Sequence, residues 1–309
     1  MAKIGVFDSG FGGLTILSEI RRALPEYDYL YLGDNARAPY GTHSFDVIYR
    51  YTLEAVKFLL DNDCALVILA CNTASAKALR TIQQHDLPVI NGERLTVNGE
   101  RVNVLGVIRP TVEAVPAITK TGHVGILATP ATVSSESYVL ELEKIAKSQE
   151  LRAKSLVITQ QACPMWVPLI EAGEHQSDGA KYFVGKYLRE ILAKDPQIDT
   201  LVLGCTHYPL LKEKIEGWLQ YHREIEENAN AVRSETATAV RPASPVRIIS
   251  QGELVAQSLA DYLKRHSEYR EQLSQGGTCA YLTTENADRF AQSASIFLSA
   301  PIKAEHIDL

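Results

Sequence analysis

"LVILACNTAS", Leu66 to Ser75, is an apolar run that stops at a thiol, Cys71, and turns polar at once with Asn72 and Thr73. "LVLGCTHYP", Leu201 to Pro209, does the same at Cys205, with Thr206 and His207 following. A short apolar run bounded by a polar turn reads as a strand buried on both faces, the kind found in parallel sheets. In open α/β sheets, ligands gather beyond the carboxyl ends of the strands. Two strands that each end in a cysteine point to a fold of two similar halves and to a chemistry that uses a matched pair of thiols.

The rest of the chain fits that frame. Apolar runs "KIGVF", "DYLYL", "ALVILA", "LPVI", "HVGILA", "SLVI", "DTLVL", "VRII" and "CAYL" alternate with helix-period segments. Leu14, Leu17, Ile20 and Leu24 form one such segment, and Ile48, Thr52, Val56 and Leu59 another. Ser134 and Ser135 are placed to cap a third, carrying Val139, Leu142 and Ile145. This alternation predicts an α/β protein with mainly parallel sheet. A loose internal repeat shows at the strand ends: Asp8-Ser9-Gly10 and Cys71-Asn72-Thr73 in the first half, Thr129-Pro130-Ala131-Thr132 and Cys205-Thr206-His207 in the second. Two halves facing each other put one thiol on each wall of a cleft. Two segments break the pattern. Residues 91–103 carry two Asn-Gly turn signals around a β-prone run, which predicts a small hairpin. Residues 226–245 are polar and low in complexity, which predicts a surface loop.

Composition narrows the function classes. The 309 residues, 46% of them hydrophobic, suffice for one large domain or two ordinary ones. A net charge of −6, with no long basic run, argues against nucleic acid as the partner. Five scattered cysteines (Cys64, Cys71, Cys163, Cys205 and Cys279) without a C-x-x-C pair argue against a disulfide framework or a closed zinc site. The chain enters a strand pattern from its first residues and no apolar run reaches about 18 residues, so the expectation is a cytoplasmic protein without a signal peptide or membrane span.

A paired-thiol site suits removal of an α-proton from an amino acid on one face and its return on the other. Such a reaction needs two acid/base groups flanking a planar carbanion, each exchanging roles when the direction reverses. Backbone N–H groups at helix N-termini, with Asn72, Thr73 and Thr206, are donors suited to a carboxylate that takes up carbanion charge. Asp8, His207 and Glu171 in "VPLIEAGE" are candidates for managing the thiol protons.

"GVFDSGFGGLTIL", "YLGDNARAPYG", "ACNTAS", "ACPMWVPLIEAG" and "GCTHYPLL", in this order from residue 4 to about residue 212, resemble glutamate racemase, a cofactor-independent bacterial enzyme that makes D-glutamate for peptidoglycan. The resemblance implies two pseudo-symmetric three-layer α/β domains with mainly parallel sheets and the active site in the interdomain cleft. The first domain is expected over 1–109 plus 252–309 and the second over 110–251. It further implies Cys71 and Cys205 as the catalytic acid/bases, with Asp8, His207 and Glu171 as auxiliary ionisable residues. Asp8, Ser9, Tyr40, Gly41, Asn72, Thr73, Thr206 and His207 match substrate-contacting positions, and Asp34 lies in the same motif as Tyr40. Glutamate as substrate, a homodimer and a peptidoglycan-precursor activator follow from the family, with no cofactor and no metal. "ISQGELVA" departs from the family's acidic ending of that strand.

Other readings are weaker. "SGFGG" lacks the Gly-Lys-Ser/Thr ending of a phosphate loop. A cysteine phosphatase wants an arginine six residues after its nucleophile, where this chain has Lys77. Cys64, Cys163 and Cys279 read as packing cysteines. Another racemase or decarboxylase of the same superfamily, or a glutamate-binding regulatory protein, is the alternative function.

Overall fold

A computed structural model describes residues 1–97, 101–148, 156–230, 245–298 and 300–309. Its strands are β1 (Lys3–Asp8), β2 (Tyr29–Gly33), β3 (Cys64–Leu69), β4 (Asn103–Gly106), β5 (His123–Ala128), β6 (Val157–Ala162), β7 (Thr200–Gly204), β8 (Arg247–Ile249), β9 (Cys279–Thr283) and β10 (Glu305–His306). They form two sheets, of order β10-β9-β2-β1-β3-β4 and β6-β5-β7-β8, and every described pairing is parallel. The order β2-β1-β3-β4 in the first sheet repeats as β6-β5-β7-β8 in the second. The repeat read from the strand ends is thus a repeat of topology, with β1 matching β5 and β3 matching β7.

Each sheet is the middle of three layers because its strands bury both faces. Ile4, Val6, Tyr29, Tyr31, Leu66 and Ile68 pack on one side of the first sheet, with the helices Gly13–Ala23 and Gln251–Arg265. Phe7, Leu30, Leu32, Val67 and Leu69 pack on the other, with the helix Phe45–Asp61. The second sheet divides likewise. Leu127, Leu201 and Leu203 face the helix Asp178–Lys194, while Val124, Ile126 and Val202 face the helices Ile108–Ile118 and Ser137–Ser148. Ser135 Oγ accepts the Ser137 N–H just before the last of these helices, while Ser134 belongs to the preceding short helix and its hydroxyl donates to Ala131 O.

Three expectations need correction. "LPVI" is not a strand but the first turn of the helix Leu87–Val97: Leu87 is buried while Val89 is 60% exposed, a one-sided pattern that a central strand does not tolerate. The same helix takes up 91–97 of the hairpin expected at 91–103, and 98–100 lie outside the described residues. Asn91 closes the connection, its Nδ2 donating to Val102 O (3.0 Å) and its Oδ1 accepting from Val102 N (2.8 Å), and β4 follows directly. At 226–245, the helix Lys212–Asn230 runs further than the loop reading allowed, and 231–244 lie outside the described residues. Among the described residues no helix is long and apolar enough to cross a membrane.

Candidate active site

The carboxyl ends of the central strands carry the predicted residues. Asp8 ends β1 opposite Gly33 of β2, and two residues beyond the end of β3 stands Cys71. In the second sheet Ala128 pairs with Gly204, so Thr129 and Cys205 follow β5 and β7 at one level. Cys71 is the N-cap of the short helix Asn72–Lys77, where its sulfur accepts the Ala74 N–H at 3.4 Å. Ser9 Oγ lies 3.2 Å from the same sulfur. Burial pushes the Cys71 thiol up to about 12, with the Asp8 charge adding to the effect; the Ser9 and Ala74 hydrogen bonds pull the other way without overcoming it. Near neutrality Cys71 is held as a thiol.

Cys205 has different company. His207 Nδ1 is 3.8 Å from its sulfur, and His207 Nε2 is 2.9 Å from Glu171 Oε1. Burial opposes charge on His207, yet the hydrogen bonds to Cys205 and Glu171 and the charges of both raise its pKa to about 10. His207 is therefore an imidazolium near neutrality, suited to stabilise a thiolate next to it. Asp8 is 1% exposed, and that burial raises its pKa against the pull of the His207 charge and of the Gly13 and Gly10 N–H groups. Its Oδ2 accepts the Gly10 N–H at 2.9 Å, while its buried Oδ1 takes no hydrogen bond.

The glycines of "SGFGG" explain how the halves meet. A Cβ on Gly12 would lie 2.3 Å from Thr206 Oγ1 and 2.4 Å from His207 Nδ1, and one on Gly10 would lie 3.3 Å from Glu171 Oε1. The turn after β1 thus lies directly against the Thr206–His207 segment and near Glu171. Thr15 Oγ1, one turn on, reaches the Thr206 carbonyl at 2.9 Å. Elsewhere Thr73 Oγ1 is 3.1 Å from Thr129 Oγ1, and Gly41 lies where a Cβ would touch Thr129 at 3.4 Å. The turn carrying Asp8, Ser9 and Gly12 thus lies beside Cys71, Thr206, His207 and Glu171, while Thr73 and Gly41 come together at Thr129. A charge on Cys205 would act on the Cys71 thiol in the same upward direction as that of Asp8.

Two predicted substrate-contacting residues have other engagements. Tyr40, in the short 3-10 helix Tyr40–Thr42, is buried, and its hydroxyl donates to Asp34. Asp34 also receives Arg37 Nε (2.7 Å) and Thr284 Oγ1 (2.9 Å), so it organises the loop after β2. Asn72 is tied into a buried hydrogen-bond cluster with Gln251 and Tyr138. Sequence reasoning missed Gln251 and Tyr138. The only signal for Gln251 was the departure at "ISQGELVA".

Comparison with known proteins gives this geometry its relatives. Residues 4–222 match the family model described as Asp/Glu/Hydantoin racemase. A glutamate racemase of Ruegeria sp. (strain TM1040) is 38% identical over 312 residues, 98% of each chain. The crystal structure of glutamate racemase isoform RacE1 from Bacillus anthracis superposes with a TM-score of 0.78 at 29% identity, covering 100% of this chain and 98% of that one. Escherichia coli glutamate racemase, solved with L-glutamate and the activator UDP-MurNAc-ala, gives 0.62 at 25% identity over 96% of both chains. A fold built twice on one strand order, a thiol after each equivalent strand and a match over most of the chain agree: the protein belongs to the Asp/Glu/Hydantoin racemase family.

Proposed function

We propose that this protein is a glutamate racemase that works without a cofactor, with Cys71 and Cys205 as acid and base on opposite faces of the substrate. The observation that carries the reading is the equivalence of β3 and β7, each followed by a buried cysteine with its own hydrogen-bonding partners. The substrate lies in a cleft between two lobes, 1–109 with 252–309 and 110–251. L-Glutamate loses its α-proton to the Cys205 thiolate, which the His207 imidazolium stabilises while Glu171 holds the far ring nitrogen. The planar carbanion spreads its charge onto the substrate carboxylate, where N–H groups at the start of Asn72–Lys77 and the hydroxyls of Thr73 and Thr206 are suitable donors. The Cys71 thiol then delivers a proton to the other face, giving D-glutamate. Asp8, with its unengaged Oδ1, is the acceptor suited to the substrate ammonium. In the reverse direction Cys71 acts as the thiolate base. The product serves peptidoglycan synthesis.

An anionic activator is a further part of the reading. A cavity of about 690 Å³ spans residues of both sheets' helices and is lined by Lys77, Arg80, Arg109, Lys144 and Arg265, offset by Glu113 and Glu141. Such a surplus of cations in a chain of net charge −6 suits a phosphate-bearing ligand.

The test is incubation with L-glutamate in deuterated water, following optical rotation and α-carbon deuterium, for wild type, Cys71→Ser and Cys205→Ser. The expected result is racemisation with deuterium uptake in the wild type, abolished in both variants. Wild-type exchange on aspartate but not on glutamate would replace the substrate, and unimpaired racemisation in either variant would discard the two-thiol mechanism.

A further inference from the structure

Gln251 stands where β8 gives way to the helix Gln251–Arg265, and it is 1% exposed. Its Oε1 accepts Asn72 Nδ2 at 2.6 Å. Its Nε2 has four acceptors within reach: Tyr138 Oη (2.9 Å), Thr111 Oγ1 (3.0 Å), Asn72 Oδ1 (3.2 Å) and Val107 O (3.3 Å). Tyr138 donates its own hydroxyl proton to Asn72 Oδ1 at 2.7 Å, and Thr111 donates to Val107 O at 2.8 Å. The cluster joins the residue after Cys71 to two helices of the second sheet, Ile108–Ile118 and Ser137–Ser148.

The proton inventory gives the cluster a definite sense. Val107 O is a backbone carbonyl and can only accept, and Thr111 already spends its proton on it. Turning the Gln251 amide over would set Oε1 against that carbonyl, two acceptors face to face in a buried site. Gln251 nitrogen is therefore fixed toward Val107 and Thr111, and its oxygen toward Asn72. That fixes Asn72 in turn, because a reversed Asn72 would bring its oxygen to 2.6 Å from Gln251 Oε1. With Asn72 Oδ1 taken by Tyr138 and one Nδ2 hydrogen taken by Gln251, the hydrogen left on Asn72 is an N–H donor.

We propose that Gln251 is a positioning residue for the reaction, locking Asn72 through a closed ring with Tyr138 so that it offers the substrate a donor, and hence selects a carboxylate oxygen rather than an ammonium at that point. The inference rests on the racemase reading for its kinetic test. Gln251→Met should raise KM for L-glutamate about tenfold while lowering kcat less than threefold, with Tyr138→Phe acting in the same direction. In an Asn72→Ala background neither substitution should change KM more than twofold. Equal fold-changes in both backgrounds, or a loss confined to kcat, would overturn the proposal. Tyr138→Phe, which removes one oxygen and keeps the ring, carries the test should Gln251→Met fail to fold. A second readout needs no turnover. In 15N-labelled protein the Asn72 side-chain amide, assigned by its loss in Asn72→Ala, should exchange with solvent slowly in wild type and at least tenfold faster in either ring variant. Unchanged exchange would show that the ring does not hold Asn72. Absence of glutamate turnover in the wild type would remove the racemase reading, while the exchange comparison would still decide the ring.

Discussion

Gly12→Ala adds one methyl group and tests whether the turn after β1 sets the placement of the Cys205 side of the site. The Gly12 backbone is right-handed helical, φ −58°, so alanine meets no backbone obstacle there. The obstacle is space: the new carbon would sit 2.3 Å from Thr206 Oγ1, 2.4 Å from His207 Nδ1 and 2.7 Å from His207 Cε1. Ordinary contact needs roughly 3.5 Å, so one side must retreat by about 1 Å. Neither side yields easily. The Thr206 carbonyl is held by Thr15 Oγ1 at 2.9 Å, and the His207 ring by Glu171 at 2.9 Å. Overpacking of this kind costs about 1–3 kcal/mol. A displacement of about 1 Å in the catalytic constellation costs on the order of 100-fold in rate. We expect kcat/KM for L-to-D conversion, followed by circular dichroism, to fall about 100-fold, and the melting temperature to fall by several degrees. Gly217→Ala is the control: nothing lies within 4 Å of its Cβ, it sits inside the helix Lys212–Asn230, and it should leave activity intact while stabilising by up to about 1 kcal/mol. Activity within threefold of wild type and an unchanged melting temperature for Gly12→Ala would refute the close-packing argument.

Other substitutions probe the supports. Asp199 accepts Thr119 Oγ1 (2.6 Å), Lys120 N (2.6 Å), Thr121 N (2.8 Å) and Thr200 Oγ1 (2.9 Å), and although burial opposes its charge these bonds hold its pKa at about 2. Asp199→Ala should lose about 2 kcal/mol of stability at neutral pH. Because the folded pKa is depressed, this contribution is present above about pH 4 and fades as pH falls through about 2, so wild-type and variant urea midpoints should converge on acidification. His207 has the opposite sign. Its raised pKa gives stability that is full below about pH 6.5 and lost as pH climbs through about 10, and His207→Gln should flatten that decline in urea titrations. Tyr40→Phe, which leaves Asp34 with Arg37 and Thr284, should cost about 1–2 kcal/mol in thermal unfolding and leave KM for glutamate within twofold, since the hydroxyl is already committed to Asp34.

What could be read from the sequence divides along physical lines. The central strands β1, β3, β5 and β7 bury both faces, and such strands leave continuous apolar runs that announce themselves. Edge strands do not. β6 is displaced toward "VITQQA" because an edge admits Thr159, Gln160 and Gln161, β4 has four residues, and the two residues of β10 are exposed. "LPVI" failed because four apolar residues carry no period that separates a strand from a helical turn. In the candidate site, Cys71 and Cys205 stand out in the sequence because each ends an apolar run in a polar cluster. Tyr40 and Asn72 stand out as candidates, yet the bonds that hold them, Tyr40 to Asp34 within one irregular loop and Asn72 to Gln251 across the chain, depend on tertiary placement. No local pattern records those.

The two thiols have unequal surroundings, Ser9 and Asp8 about Cys71, His207 and Glu171 about Cys205. In a racemase that inequality has a thermodynamic limit. Mirror-image substrates have equal free energy in water, so their equilibrium constant is one, and the Haldane relation then makes kcat/KM identical in the two directions. A racemase resting with one acid/base group protonated and the other deprotonated is ready for one enantiomer and seldom ready for the other. The rarer form must compensate in full, its base being the stronger by the factor that makes it scarce. The asymmetry of the site is therefore free to divide kcat from KM differently for L- and D-substrate, but never to make the protein a one-way catalyst.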